Sequence, residues 1–149
     1  MKSSARIGSH PIHPMLIPLP LGLWTAGVIF NLLGGAANLY GLHNVAFFMV
    51  LAGCLGAVLA AIPGTIDLFL AIPPGTKARR TGTVHGLLNL AALALFLVSL
   101  WLRPSPSQMT YGAYFTAIAG FVAIGISGWL GGDLVYRHRI GVEESTEVR

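Results

Sequence analysis

Seven polar residues that could take part in metal, cofactor or proton chemistry lie near the ends of long apolar segments. They are His10, His13, Asp67, His85, Asn89, Asp133 and His138. Histidine is the commonest protein ligand of transition metals, and carboxylates join it at zinc and iron sites. These residue types predict a cofactor or metal site, provided that the fold brings them to one level of the molecule.

Two chemistries that these residues would support are a metal site and a quinone or proton site. The candidate ligands for a divalent metal are His10, His13, Asp67, His85 and Asp133. A quinone or proton site would instead use His85 and Asp67 as hydrogen-bonding and proton-exchanging groups. The close spacing of His10 and His13 is not a recognised zinc signature. The identity of a cofactor is therefore unknown from the sequence.

A b-type haem is the third possibility, and its iron needs axial ligands from facing elements. His85 is one candidate, because the glycines three residues before it and one residue after it leave room for a flat macrocycle. The second ligand would be His13 or His138, and Asn89 lies about one helical turn beyond His85. All of these side chains are close to segment ends, so such a haem would lie near one end of the helices.

The same residues also have a purely structural interpretation. Asp67 would pair with Arg79 or Arg80, Asp133 would pair with Arg137, and the two His-Pro pairs would mark the start of a helix. This interpretation accounts for each residue taken singly. What argues for a pocket is the set as a whole, because every predicted helix contributes to it.

The elements that position these residues are predicted from composition and hydropathy. Hydrophobic residues make up 54% of the 149 residues and charged residues only 9%, where a soluble domain carries roughly 25% charged residues. The mean hydropathy is +0.73. Polar stripes at a helical period and alternating ten-residue segments are both absent. The predicted fold class is therefore all-α, an integral membrane four-helix bundle.

Four spans follow from the breaks in the apolar sequence. A stretch rich in Gly and Asn interrupts it first, and two proline-containing stretches beginning at Pro73 and Arg103 interrupt it again. The chain is predicted to be a single membrane domain, 1–149, with helices at about 15–33, 45–72, 81–102 and 110–136 and a charged tail at 137–149.

The distribution of basic residues sets the predicted orientation. Four spans place the N-terminus, the second loop and the C-terminus on one face. That face holds Lys2, Arg6, Lys77, Arg79, Arg80, Arg137, Arg139 and Arg149. The opposite face holds Arg103 alone. An excess of Lys and Arg marks the cytoplasmic side, so the chain is predicted to be a multi-pass protein of the cell inner (plasma) membrane with both termini cytoplasmic.

This orientation predicts the behaviour of a reporter fused after Arg149. An alkaline phosphatase fusion, which is active only outside the cytoplasm, is expected to be inactive, and a green fluorescent protein fusion to be fluorescent. A fusion after Ser107, in the loop on the opposite face, is the matched control and is expected to give the reverse pattern. A periplasmic C-terminal reporter would contradict the orientation.

Several function classes are not indicated. The sequence has no P-loop, no dinucleotide fingerprint and no serine nucleophile elbow, so no enzymatic activity of its own is predicted. The basic residues flank spans and are predicted to meet anionic lipid rather than nucleic acid. The single cysteine, Cys54, lies in an apolar run and is interpreted as a packing residue.

Small residues recur at four-residue spacing within the predicted helices. The sets are Gly22 with Ala26, Gly53 with Ala57 and Ala61, Gly82 with Gly86, and Gly128 with Gly132. Such spacing allows helix backbones to approach closely in lipid. It is explained either by tight packing within one chain or by a homo-oligomer that forms through these faces, and the sequence does not separate the two.

The ends of the chain carry a family resemblance. The segment Gly8-Ser9-His10-Pro11-Ile12-His13-Pro14, followed by Leu16-Ile17-Pro18-Leu19-Pro20-Leu21-Gly22, resembles the opening of the prokaryotic membrane family named domain of unknown function 2231. The segment Gly131-Gly132-Asp133-Leu134-Val135-Tyr136-Arg137-His138-Arg139-Ile140-Gly141-Val142 is similar to its end motif, and Asp67, His85 and Asn89 also match its pattern. One departure is Arg139, where the family commonly has Gly.

This resemblance implies a four-span membrane protein without an established activity. Some relatives are joined to a Rieske-type iron–sulfur domain, which implies electron transfer beside a quinone pool and therefore a redox partner. This chain does not contain that domain's cysteine and histidine ligands. The resemblance therefore gives only weak support for a role of this chain in electron transfer.

The leading hypothesis is a small redox-associated membrane subunit whose cytoplasmic-side His/Asp pocket binds b-haem or a divalent metal. At about 1.5 Å per residue, Asp67, His85 and Asp133 lie roughly 6 to 9 Å inside their helix ends, so three helices place an ionisable group at one level. The first alternative is a structural or partner-binding subunit without a cofactor. The second is a small-molecule or proton transporter, which is weakened by the lack of ionisable residues near the bilayer centre.

Overall fold

A computed structural model of the protein describes residues 1–142. A short antiparallel hairpin of β1 (Arg6–Ile7) and β2 (His10–Pro11) precedes the helices. The helices are α1 (Ile12–Leu16), α2 (Pro18–Ala36), α3 (Tyr40–Ile66), α4 (Lys77–Trp101) and α5 (Tyr111–Tyr136), and a π-helical turn at Asp67–Ala71 extends α3.

The helices form four segments that are long and apolar enough to cross a membrane. These are Ile12–Ala36, Tyr40–Ala71, Lys77–Trp101 and Tyr111–Tyr136. The all-α, four-span membrane architecture predicted from composition is therefore confirmed. The part of the predicted charged tail beyond residue 142 lies outside the described residues.

Three of the four spans begin several residues earlier than the hydropathy pattern indicated. The first span begins at Ile12 because a proline within the first turn of a helix costs no hydrogen bond, so Pro14 is accommodated there. The third begins at Lys77 because the Thr76 side chain accepts a hydrogen bond from the Arg79 amide at 3.1 Å and caps the helix. Polar residues that were predicted to lie in loops thus form the first turns of these helices.

The core forms where two helix pairs meet. Helix α2 packs mainly on α3, and α4 packs mainly on α5. The indole of Trp24 on α2 stacks on the ring of Phe96 on α4, with ring centres 4.5 Å apart. Val50 from α3 and Ala117 from α5 complete the buried centre. This aromatic stack is a direct contact between the two pairs.

The N-terminus and the C-terminal part of the described chain meet at one end of the bundle. The Met1 ammonium group donates to the Arg139 carbonyl at 2.8 Å, and the Gly141 amide donates to the Met1 carbonyl at 2.8 Å. Both ends of the described chain therefore lie together, at what we name the terminal end. Residues 1–11 cross this end and are named the N-terminal strap. The opposite end, with the connections at 37–39 and 102–110, is named the distal end.

Candidate functional site

Two of the predicted site residues, His13 and His85, meet at the terminal end between the helix pairs. Their ring centres are 6.2 Å apart and the ring planes are nearly perpendicular, at 87°. His13 Nδ1 lies 2.7 Å from the Ala60 carbonyl oxygen. Because a carbonyl can only accept, Nδ1 carries the hydrogen, and Nε2 of the neutral ring keeps its lone pair.

His85 is held in the same tautomer by α5. Its Nδ1 donates to the Ser127 carbonyl at 2.8 Å and also lies 2.9 Å from the Ser127 hydroxyl, which donates to the His85 carbonyl at 3.2 Å. Nε2 is therefore the acceptor, and the Asn89 side-chain amide lies 3.0 Å from it. Both ring nitrogens of His85 consequently have hydrogen-bond partners within the fold.

Two glycines make space for these rings. A Cβ at Gly64 would lie 2.8 Å from the His13 ring, and a Cβ at Gly131 would lie 3.2 Å from the His85 ring. The two glycines near His85 in the sequence, Gly82 and Gly86, differ in their surroundings. A Cβ at Gly82 would meet the Leu68 side chain at 2.9 Å, whereas Gly86 has open space beside it. Gly86 is exposed, so the open space beside it lies at the surface of α4.

Asp67 is the anchor of the N-terminal strap. Its carboxylate is buried and accepts hydrogen bonds from the Ser3 hydroxyl at 2.8 Å, the Ser4 amide at 2.7 Å and the Ala5 amide at 2.9 Å. The π-helical turn places the carboxylate under the strap. Arg79, which the structural interpretation paired with Asp67, instead donates to the carbonyls of Leu68 and Ile72.

The remaining predicted site residues lie nearer the surface of the terminal end. Asp133 forms an ion pair with Arg137 at 3.4 Å, and the arginine side chain is largely exposed. His10 is exposed and lies 3.5 Å from the Ser9 hydroxyl, and His138 is half-buried just beyond α5. Within residues 1–142, no group of three or more His, Cys, Asp or Glu side chains is arranged to hold a metal ion.

Sequence reasoning missed a second polar cluster, which lies at the distal end. His43 is buried there, with Nδ1 3.4 Å from Asn31 Oδ1 and Nε2 3.4 Å from the Tyr114 hydroxyl. The Tyr114 hydroxyl donates to the Asn31 carbonyl at 3.2 Å, and Arg103 Nη1 donates to the His43 carbonyl at 3.2 Å. The available signal was the isolation of Arg103, the one basic residue predicted on this face.

Arg103 is the charged member of this distal cluster. Burial lowers the pKa of its guanidinium to about 10, so the side chain remains a cation at neutral pH. A Cβ at Gly34 would lie 2.8 Å from the His43 ring, and a Cβ at Gly35 would lie 2.5 Å from the Tyr114 hydroxyl. Glycines on α2 therefore give the distal cluster its space, just as Gly64 on α3 and Gly131 on α5 do for the histidine pair.

Four apolar spans with polar groups gathered at both ends define an integral, multi-pass membrane protein embedded in a lipid bilayer. The chain belongs to the family described as predicted membrane protein, domain of unknown function 2231, whose sequence profile matches residues 9–144. The family resemblance of the end motifs is thereby confirmed. No curated protein and no solved structure is significantly similar to the chain.

Proposed function

We propose that the protein is a redox-associated membrane subunit that holds a b-type haem between His13 and His85. The observation that carries this proposal is the 6.2 Å separation of the two ring centres. Two imidazoles bound to one metal through bonds of about 2 Å have ring centres roughly 5 to 6 Å apart, so His13 and His85 would need only a small adjustment to share a metal. In the haem case, these two side chains would hold the iron from α1 and α4.

The hydrogen bonds of the two histidines support a ligand role. A metal-binding histidine usually donates its other ring N–H to a carbonyl or carboxylate, which orients the ring and fixes the tautomer. His13 and His85 both donate Nδ1–H to a backbone carbonyl, of Ala60 and Ser127 respectively. In each ring the nitrogen available to a metal is therefore Nε2.

Asn89 is the side chain that controls access to His85. Its amide lies 3.0 Å from Nε2 of His85 and would have to turn away before a metal could bind there. A bulky group would have to approach from the exposed surface of α4 beside Gly86, one residue after His85. The haem would supply one-electron chemistry, and the protein would supply ligation, orientation and exclusion of water.

The second candidate is a divalent metal ion bound directly by the same two histidines. Histidine binds such ions without a haem macrocycle. With both termini cytoplasmic, the site would face the cytoplasmic edge of the inner membrane. A redox partner or a quinone would then exchange electrons with it from that side.

The test is the cofactor content of the protein purified in mild detergent, measured by visible spectroscopy and elemental analysis. A Soret band with iron is expected for haem, and a metal without that band would identify the divalent-metal alternative. His85→Ala is expected to lower occupancy at least about tenfold. His10→Ala, which removes an exposed histidine, should leave occupancy unchanged, and Asn89→Ala should maintain or increase it.

A protein without colour or metal that takes up neither added haemin nor divalent metals would contradict the proposal. That result would favour the competing function, a structural or partner-binding subunit. Such a function is supported by the full hydrogen bonding of His85 and of the Asp67 carboxylate within the fold.

A further inference from the structure

Arg103 at the distal end is a buried cation whose hydrogen bonding is incomplete. Its side chain is only 7% exposed, and Nη1 donates to the His43 carbonyl. In the described part of the chain, Nε and Nη2 have no hydrogen-bond partner, and neither does the Asn31 side-chain amide nitrogen in the same cluster. A charge removed from water is costly unless it is paired and hydrogen-bonded.

The described residues offer this cation little compensation. The two described acidic residues, Asp67 and Asp133, are both at the terminal end, on the other side of the bundle. The Phe47 ring lies 5.7 Å from the guanidinium carbon, near the limit of a favourable cation–π contact. The cluster therefore contains a positive charge and unused donors without a negative charge to match.

The unused donors have a specific geometry. Nε and Nη2 form one edge of the planar guanidinium, and their two parallel N–H bonds form the fork that pairs with two oxygens of a phosphate or carboxylate. Nη1, on the other edge, is the nitrogen that holds the His43 carbonyl. One edge of Arg103 is thus fixed to the protein, and the edge suited to an oxyanion is left without a partner.

The depth of Arg103 in the membrane indicates which oxyanion is near. Trp101 is 81% exposed and Tyr111 is 95% exposed, and Tyr40 at the start of α3 is also exposed at this end. Trp and Tyr on the outer surface of a span are enriched at the level of the lipid headgroups. Arg103 follows Trp101 by two residues, which places it at the level of the headgroup phosphates.

We propose that the Arg103 fork binds a phosphate oxyanion at the distal end, with the Asn31 amide as an additional donor. The phosphate comes either from a lipid headgroup or from free inorganic phosphate, since both present the same oxygens. Arg103 is only 7% exposed, so binding requires the residues around its guanidinium to shift.

The test is a pair of titrations of the delipidated, detergent-solubilised full chain. One uses phosphatidylglycerol in mixed micelles and the other inorganic phosphate, and each is followed by thermal stability and by ³¹P nuclear magnetic resonance. Saturable binding of the lipid alone assigns the site to a headgroup, and saturable binding of both probes shows that free phosphate also fits. Saturation by neither probe would overturn the proposal.

The variants test whether Arg103 is responsible for the binding. Arg103→Gln is expected to weaken it roughly ten- to hundred-fold, because a charged hydrogen-bond donor pair is lost. Arg80→Gln, which removes an exposed arginine at the terminal end, is the matched control and should bind as the wild type does. If Arg103→Gln fails to fold, Arg103→Lys retains the charge without the fork and should also bind more weakly. Wild-type affinity in the Arg103 variant that folds would refute the role of the fork.

Discussion

Replacement of Asp67 by alanine is expected to release the N-terminal strap while the four spans stay folded. The carboxylate accepts hydrogen bonds from the Ser3 hydroxyl and from the Ser4 and Ala5 amides, all within 2.9 Å. Hydrogen bonds to a charged group contribute about 1.5 to 3 kcal/mol each, and some of the freed donors would regain water. We therefore expect the free energy of strap opening to fall by about 2 to 4 kcal/mol.

Hydrogen exchange of the Ser4 and Ala5 amides measures this opening directly. In Asp67→Ala these amides are expected to exchange at least about 30-fold faster than in the wild type, whereas amides in the centre of α3 should be unaffected. Asp133→Ala is the matched control. It removes a carboxylate that pairs with an exposed arginine, and such surface pairs contribute about 0 to 1 kcal/mol. Equal strap exchange in the two variants would show that Asp67 does not anchor the strap.

Substitution of Gly53 by alanine is expected to produce the second large effect, in the core. A Cβ at Gly53 would lie 2.6 Å from Trp24 Cδ1. The indole cannot move aside easily, because it is buried and stacked on Phe96. Overpacking of this kind costs about 1 to 3 kcal/mol, so we expect the melting temperature in detergent to fall by several degrees, roughly 2 to 4 °C per kcal/mol.

Gly86→Ala is the matched control for Gly53→Ala. It introduces the same methyl group on a helix, at a position with open space around it, and alanine is intrinsically the better helix former. Its melting temperature should equal or exceed that of the wild type. A similar loss of stability in both variants would show that loss of glycine itself, rather than contact with Trp24, determines the effect.

The glycines of the helices show why four-residue spacing of small residues could not distinguish packing within one chain from association between chains. Gly53 and Gly82 both face side chains within the chain, whereas Gly22, Gly86 and Gly128 have open space beside them. The spacing is alike in all five cases, and only the rotation of each helix distinguishes them. Packing within one chain therefore explains Gly53 and Gly82, while association through the open positions stays a prediction.

The candidate site was also only partly predictable. Asp67, His85 and Asp133 were predicted to lie at one level. In the structure the neighbours of His85 are His13 and Asn89. Asp67 instead binds the strap, and Asp133 pairs with Arg137. The role of Asp67 was not foreseeable, because its partners lie more than 60 residues away in a short polar segment without a helical or strand pattern. Local patterns carry no information about such pairings.

The sequence by itself determined the four spans and the gathering of polar residues at their ends. Hydropathy is a local property, and a bilayer core about 30 Å thick requires close to 20 apolar residues in each span. The tertiary structure alone decided which polar groups meet. It paired His13 with His85, closed the strap over Asp67, and buried Arg103 with His43, because these contacts depend on helix rotation and that rotation is set by long-range packing such as the Trp24–Phe96 stack.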